Sequence, residues 1–235
     1  MFNLKHERIN YSQELGCGRF GNVYPYQKNP EDLTWVVKYI LAKNDRFLIQ
    51  NFDEIVLGFS CDHDSLVPIR GYSIQKIENS PSYNIYIKLP RMKESLRQVI
   101  QRNKQSNTSF QEKDIIVYLY SLLCGVEYLH SKRIAHRDIK PDNILLDYQG
   151  KAKLSDIGLA KFVADGETSY FDPERFGTIN YMAPELFQTD NQSFKKKDWY
   201  KADAWSLGVV IAELCNLIDH KIQNLEEREK DMKAS

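Results

Sequence analysis

The sequence predicts an α+β chain built as two lobes, strand-rich first and helical second. Three observations carry this. Short runs of β-branched and aromatic residues fill the stretch before Pro90, with one amphipathic segment among them. Two long apolar stretches of helical length follow, over 114–130 and 203–217. The texture changes near Pro90–Lys93, where the lobe boundary is expected, with a cleft between the two parts.

The first lobe, 1–92, is expected to hold a five-stranded sheet and one helix. Strands are predicted at 11–15, 23–26 and 34–40, around a glycine cluster. Residues 45–59 read as a helix with Leu48, Phe52, Ile55 and Phe59 on one face. Further strands are predicted at 66–72 and 83–89. Pro25 lacks an N–H, so ladder pairing is expected to lapse there. The second lobe, 93–217, opens with a short helix over 93–102. Ser109 and Glu112 have the spacing of a capping box and open a long helix over 114–130. That helix is apolar nearly all round and is therefore expected to be buried. Another buried helix is predicted over 203–217, and 218–235 reads as a polar tail.

The 235 residues carry 32 Lys plus Arg against 32 Asp plus Glu. A neutral chain lacks the basic excess that general nucleic-acid binding uses to displace counterions, so no nucleic-acid partner is expected. Cys17, Cys61, Cys124 and Cys215 are widely separated and form no CxxC pair, which speaks against a zinc or redox pair and for reduced thiols. The longest apolar stretch, 207–218, is interrupted by Glu213 and Asn216. With a charged N-terminus and no apolar leader, the expectation is a cytoplasmic protein, with the nucleus left open, and no membrane partner.

Three segments carry chemistry. Gly16-Cys17-Gly18-Arg19-Phe20-Gly21-Asn22-Val23 is a GxGxxGxV run between predicted strands. Glycines let backbone approach a phosphate closely, and a plain glycine hairpin is the other reading. A dinucleotide fold does not fit, because the segment after Gly21 is no helix. Lys38 sits in an apolar strand, where its charge needs a partner or a surface-facing position. A phosphate and Glu54 of the next helix are suitable partners. His136-Arg137-Asp138-Ile139-Lys140-Pro141-Asp142-Asn143, followed by Ser155-Asp156-Ile157-Gly158, gathers acids, a lysine and an amide on loops. Such oxygens suit Mg²⁺ with an anionic substrate.

These segments, in this order, resemble the eukaryotic-type protein kinases, together with Ala183-Pro184-Glu185 and Asp203-Ala-Trp-Ser-Leu-Gly208. The resemblance runs from about residue 10 to 217 and implies the two-lobed kinase fold. It implies that Gly16, Gly18, Phe20 and Gly21 cover the phosphates of ATP, and that Lys38 holds the α- and β-phosphates while pairing with Glu54. It further implies Asp138 as the acid that accepts or orients the substrate hydroxyl, and Asn143 and Asp156 as holders of Mg²⁺. Val23, Val36 and Leu145 would sandwich adenine, with Leu89 as gatekeeper and Met92 at the hinge. Lys140 and the Gly177-Thr178-Ile-Asn-Tyr181-Met-Ala-Pro-Glu185 stretch resemble the serine/threonine group, with Thr178 touching Asp138 and Lys140. The implied activity is transfer of the γ-phosphate of Mg-ATP to a Ser or Thr hydroxyl of a protein. The alternative is a pseudokinase-type nucleotide-binding scaffold or an inactive fragment.

Several positions depart from that pattern. Ile157 stands where Phe is usual, and Gly58 where a large apolar residue packs, which together suggest a looser internal spine. The tail after 217 resembles none of the later kinase helices, so the expectation is a clipped fragment, a minimal variant or a shortened second lobe that a partner covers. Asp142 suggests a basic residue near the acceptor. Glu174, with Asp172, is expected to pair with Arg137 and Lys161 in place of a phosphate, with Thr168, Ser169 and Tyr170 as alternative phosphosites.

Overall fold

The structure is a computed structural model and describes residues 2, 4–18, 21–27, 29, 31–32, 34–163, 177–186 and 198–216. Phe20, Asp172, Glu174, the three alternative phosphosites and the tail lie outside the described residues. The chain divides into two compact units, Met1–Lys93 and Glu94–Ser235.

The first unit is a sheet of β1 (Gly16–Gly18), β2 (Gly21–Pro25), β3 (Trp35–Ala42), β4 (Gly71–Lys76) and β5 (Tyr83–Pro90), with α1 (Asp45–Ser60). Strand order is β1-β2-β3-β5-β4, antiparallel throughout. The two-residue period of β3 sends alternate side chains to opposite faces. Ile40 and Ala42 join Ile55, Ile69, Ile85 and Ile87 in one core. Val37 joins Ile9, Tyr26 and Tyr86 in a second core on the opposite face, flanked by Phe2, Leu4, Tyr24, Trp35 and Tyr39. The N-terminal segment covers this second face. Phe2 N donates to Tyr72 O at 3.0 Å, and a Cβ on Gly71 would meet Phe2 Cδ1 at 2.8 Å. Lys88 lies 4.1 Å from the centroid of Trp35, a cation–π contact on the same face.

Four local expectations for this unit change. Residues 11–15 are not a strand, because Asn10 Oδ1 accepts from Ser12 N and Ser12 Oγ and sets a turn instead. β4 begins at Gly71, and Leu66 and Ile69 are buried ahead of it in irregular chain, which carries the same apolar signature as a strand. The buried face of α1 is Glu54, Ile55 and Gly58, whereas Phe52 and Phe59 stay exposed and meet Tyr72 edge-on. Pairing of β2 with β3 continues through Pro25. Tyr26 N donates to Trp35 O at 3.0 Å, so the preceding pair, Pro25 with Val36, is the non-hydrogen-bonded one and needs no donor.

The second unit contains β6 (Glu94–Ser95), α2 (Leu96–Gln105), α3 (Glu112–Ser131), β7 (Ile134–Ala135), β8 (Ile144–Leu146), β9 (Ala152–Leu154), β10 (Lys161–Phe162) and α4 (Trp199–Leu214). β6, β8 and β9 form one small sheet, and β7 pairs with β10. Ala135, Val163, Met182, Ala183, Leu186, Trp199 and Ala202 form a core around the first turn of α4. Asp198 caps α4 by accepting from Tyr200 N and Lys201 N, so this helix starts earlier than predicted.

The capping box belongs to α2 and not to α3. Ser95 Oγ accepts from Gln98 N at 3.2 Å, and Gln98 Oε1 accepts from Ser95 N at 2.8 Å. α3 starts behind Gln111 with no side-chain cap. Nor is α3 buried all round. Leu122, Val126 and Leu129 face the core, while Ile116, Val117, Leu123 and Tyr120, the last 70% exposed, form an apolar outer row. Among the described residues no helix is long and apolar enough to cross a membrane. The two candidate caps separate cleanly by experiment. Ser95→Ala should cost about 1 kcal/mol in a denaturant melt, and Ser109→Ala less than about 0.5 kcal/mol.

Candidate active site

In the first unit, strand register gathers the predicted residues. Val23 faces Lys38 across β2 and β3, and Val36 faces Leu89 across β3 and β5. Because side chains alternate, Val23, Val36, Lys38 and Leu89 share one face of the sheet. Lys38 Nζ donates to Glu54 Oε1 at 2.7 Å, and both residues are buried. The glycine run is a hairpin, with Gly16 opposite Val23 and Gly18 opposite Gly21. Gly21 has φ +119°, and a Cβ there would sit 2.2 Å from Tyr39 O, so no other residue fits. Met92 is half-buried just past β5.

In the second unit, β7 leads into the loop that begins at His136. Asp203 reaches into this loop from α4 and is 1% exposed. Its carboxylate accepts from the amides of His136 and Arg137, both at 2.8 Å, and lies 2.9 Å from His130 Nε2. Arg137 thereby holds a left-handed φ of 70°, with its guanidinium 4.3 Å from the centroid of Trp199. His136 is fully buried. Its Nδ1 accepts from Asp138 N at 3.3 Å, which leaves Nε2–H to donate to Ser155 O at 3.1 Å.

Asp138, Lys140, Asn143 and Thr178 come together in one cluster. Lys140 Nζ lies 2.8 Å from Asp138 Oδ2 and donates to Thr178 Oγ1 at 2.7 Å. The Thr178 hydroxyl donates in turn to Asp138 Oδ1 at 3.0 Å. Asn143 Nδ2 donates to Asp138 O and Oδ2 at 2.8 and 2.9 Å. Gly177 just before Thr178 has φ +104°, and a Cβ would come within 3.0 Å of Arg137 O. Asp156, left-handed at φ 58°, follows Ser155, whose N–H and hydroxyl both donate to Asn143 O. Leu145 is half-buried in β8, opposite Ser95 and Lys153. Among the described residues no three His, Cys, Asp or Glu side chains assemble as a metal cage.

A family model described as the protein kinase domain matches residues 9–234. The chain belongs to the protein kinase domain family. It is 32% identical over 215 residues to serine/threonine-protein kinase 32C of Mus musculus, covering 90% of this chain and 41% of that protein. It is 34% identical over 218 residues to LRR receptor-like serine/threonine-protein kinase FEI 2 of Arabidopsis thaliana, covering 89% and 33%. With probable cyclin-dependent kinase 9 of Schizosaccharomyces pombe it shares 27% over 217 residues, covering 86% and 35%. The chain thus spans less than half the length of each of these relatives. The resemblance to eukaryotic-type serine/threonine kinases and the two-part kinase fold stand on these matches.

The kinase motifs include Asp203 without a task for it, and they leave His136, Ser155, Trp199 and Arg97 without one. The available signal was a carboxylate inside an apolar helix, which demands a buried partner. The Lys38–Glu54 pair is testable by melting. Lys38→Met should destabilise by about 3 kcal/mol or more, because it strands a buried carboxylate, and adding Glu54→Gln should recover most of the loss. Equal melts for Lys38→Met and wild type would contradict the pairing.

Proposed function

We propose that the chain is a serine/threonine protein kinase that transfers the γ-phosphoryl group of Mg-ATP to a protein hydroxyl. The observation that carries this reading is the Asp138 cluster. A hydroxyl, that of Thr178, already rests on Asp138 Oδ1, so this carboxylate can hold and orient an alcohol. Asp138 would take the acceptor's proton as the acceptor oxygen bonds to phosphorus and the bond to ADP breaks. Lys140, 2.8 Å from Asp138 Oδ2, would stabilise negative charge on the transferred phosphoryl group. Thr178 fixes both groups by bonding to each. Lys38, oriented by Glu54, would bind the α- and β-phosphates, and the backbone of Gly16, Gly18, Phe20 and Gly21 would cover them. Val23, Val36, Leu89, Met92 and Leu145 would contact adenine.

Asn143 and Asp156 fit Mg²⁺, since this ion typically takes one or two protein oxygens and completes its shell with phosphates and water. When bound, it would neutralise phosphate charge. Specificity for Ser or Thr rests on Lys140 and Thr178, in keeping with the names of the relatives. The exposed apolar row on α3 supports a covering partner over the second lobe. Cys17, Cys61, Cys124 and Cys215 form no disulfide with one another, which supports a reducing compartment such as the cytoplasm. A scaffold that binds nucleotide without catalysis is favoured by one observation, Gly58 on the buried face of α1, one turn after Glu54.

Phosphate incorporation from labelled ATP separates the two. Wild type should phosphorylate a generic Ser/Thr acceptor, and chelation of Mg²⁺ should stop it. Asp138→Asn should fall by about 100-fold or more while Mg-ATP still raises its melting temperature. Nucleotide-dependent stabilisation without any incorporation by wild type would favour the scaffold.

A further inference from the structure

Only one side of α3 packs inside its own unit. Ser121, Leu122, Gly125, Val126 and Leu129 are buried. On the other side Ile116, Val117, Tyr120 and Leu123 are each half exposed or more. Tyr120 stands three or four residues from each of the others, the spacing of a seam that packs against a second helix. Next to Leu123 the surface continues into a groove of about 450 Å³ between α3 and α4, lined in part by Val126, Tyr200 and Leu207. An apolar surface of that extent is the mark of an interaction site.

The charges at the two ends of the row say what fits it. Lys113 lies seven residues before Tyr120 and Glu127 seven residues after it, and both are exposed. Seven residues are close to two helical turns, so both side chains stand on the side of the row. Among the described residues neither side chain has an ion pair or hydrogen bond. The row is therefore symmetric about Tyr120, with opposite charges at equal distances. When a second α3 crosses it antiparallel at Tyr120, residues equally far from the centre on opposite sides meet. Lys113 then faces Glu127 of the second copy, Val117 faces Leu123, and Ile116 faces Cys124. Tyr120 meets its own counterpart, a pair that offset stacking accommodates. Two-fold symmetry forms each contact twice, so both ends of the seam are closed by an ion pair. A parallel pair would set lysine on lysine and glutamate on glutamate, which like-charge repulsion disfavours. The charged ends lie about 10 Å from the crossing point, so a crossing near 20° keeps them in reach, whereas one near −50° would part them.

We propose that the exposed face of α3 is a homodimer interface, in which a second copy of this chain lays its own α3 antiparallel across Tyr120. This rests on the reading that a partner covers the second lobe, gives that partner an identity, and requires no catalysis. A foreign protein would give no reason for opposite charges equally spaced about one tyrosine.

Sedimentation of the 235-residue chain between about 1 and 100 μM should show a monomer–dimer equilibrium. Carbodiimide coupling should join Lys113 to Glu127. Within one helix these residues are fourteen positions, about 21 Å, apart, so a direct amide between them has to link two chains. Lys113→Glu alone, or Glu127→Lys alone, should weaken dimerisation by about tenfold or more, because each sets like charges together at both ends. Mixing the two variants should restore association to within about threefold of wild type, since a copy with two acids then meets a copy with two lysines. A chain that stays monomeric over the whole range overturns the proposal, and so does a dimer indifferent to both reversals, which would use another face. Should the reversed variants fail to fold, coupling of the wild type decides, and a dimer without the Lys113–Glu127 link is the contrary result. Failure of the dimer is separable from failure of the covering-partner reading by maleimide labelling of Tyr120→Cys, mapped at that peptide. Fast labelling of a monomer leaves the row bare for a different protein, whereas protection in a monomer shows the chain covering its own row and removes both readings.

Discussion

One buried carboxylate holds the loop that begins at His136 in shape. Asp203 accepts from the amides of His136 and Arg137 and meets His130, all within 2.9 Å. A left-handed backbone at a non-glycine residue costs about 1 kcal/mol or more, and two charge-assisted bonds offset it at Arg137. With that residue turned, Asp138 N finds His136 Nδ1 and the Asp138 carboxylate finds Lys140, Asn143 and Thr178. Ser155 extends the same scaffold to Asp156 through its bonds with His136 and Asn143. The candidate chemistry of the second unit thus descends from a single acid on α4, which is a stiff element with a long apolar contact surface.

The same device recurs elsewhere. Lys38 with Glu54 and Arg97 with Glu213 each take a charge out of water and then fix its direction with a short bond. Such pairs add little net stability compared with well-packed apolar residues. Their value lies in geometry, because a buried acid whose partner moves is left uncompensated. This explains why they sit where the position of a side chain is fixed by a partner, and not in the isoleucine core under the sheet.

Much of this was legible in the chain. The alternation in 34–40 places Lys38 and Val36 on one face, and the sheet register confirms it. The loop run from His136 to Asn143 announces its own chemistry, since acids, lysine and amide rarely cluster so tightly without a task. What was not legible depends on distant partners. Ser109 and Glu112 have the right spacing for a cap, but the box that forms is Ser95 with Gln98, because backbone and not spacing decides. The apolar composition of α3 suggested full burial, and only the described packing reveals Tyr120 and its neighbours outside. That Arg97, 45 residues earlier, reaches Asp142 likewise has no local sign in the sequence.

The central claim, that Asp203 fixes the loop by its grip on two backbone amides, is open to direct measurement by residue-resolved hydrogen exchange. The amides of His136 and Arg137 should exchange as slowly as those in the buried middle of α3, through opening of the whole unit, and Asp203→Asn should accelerate these two before any helix amide. Exchange of both amides at the rate of an open loop in the native protein would contradict the account.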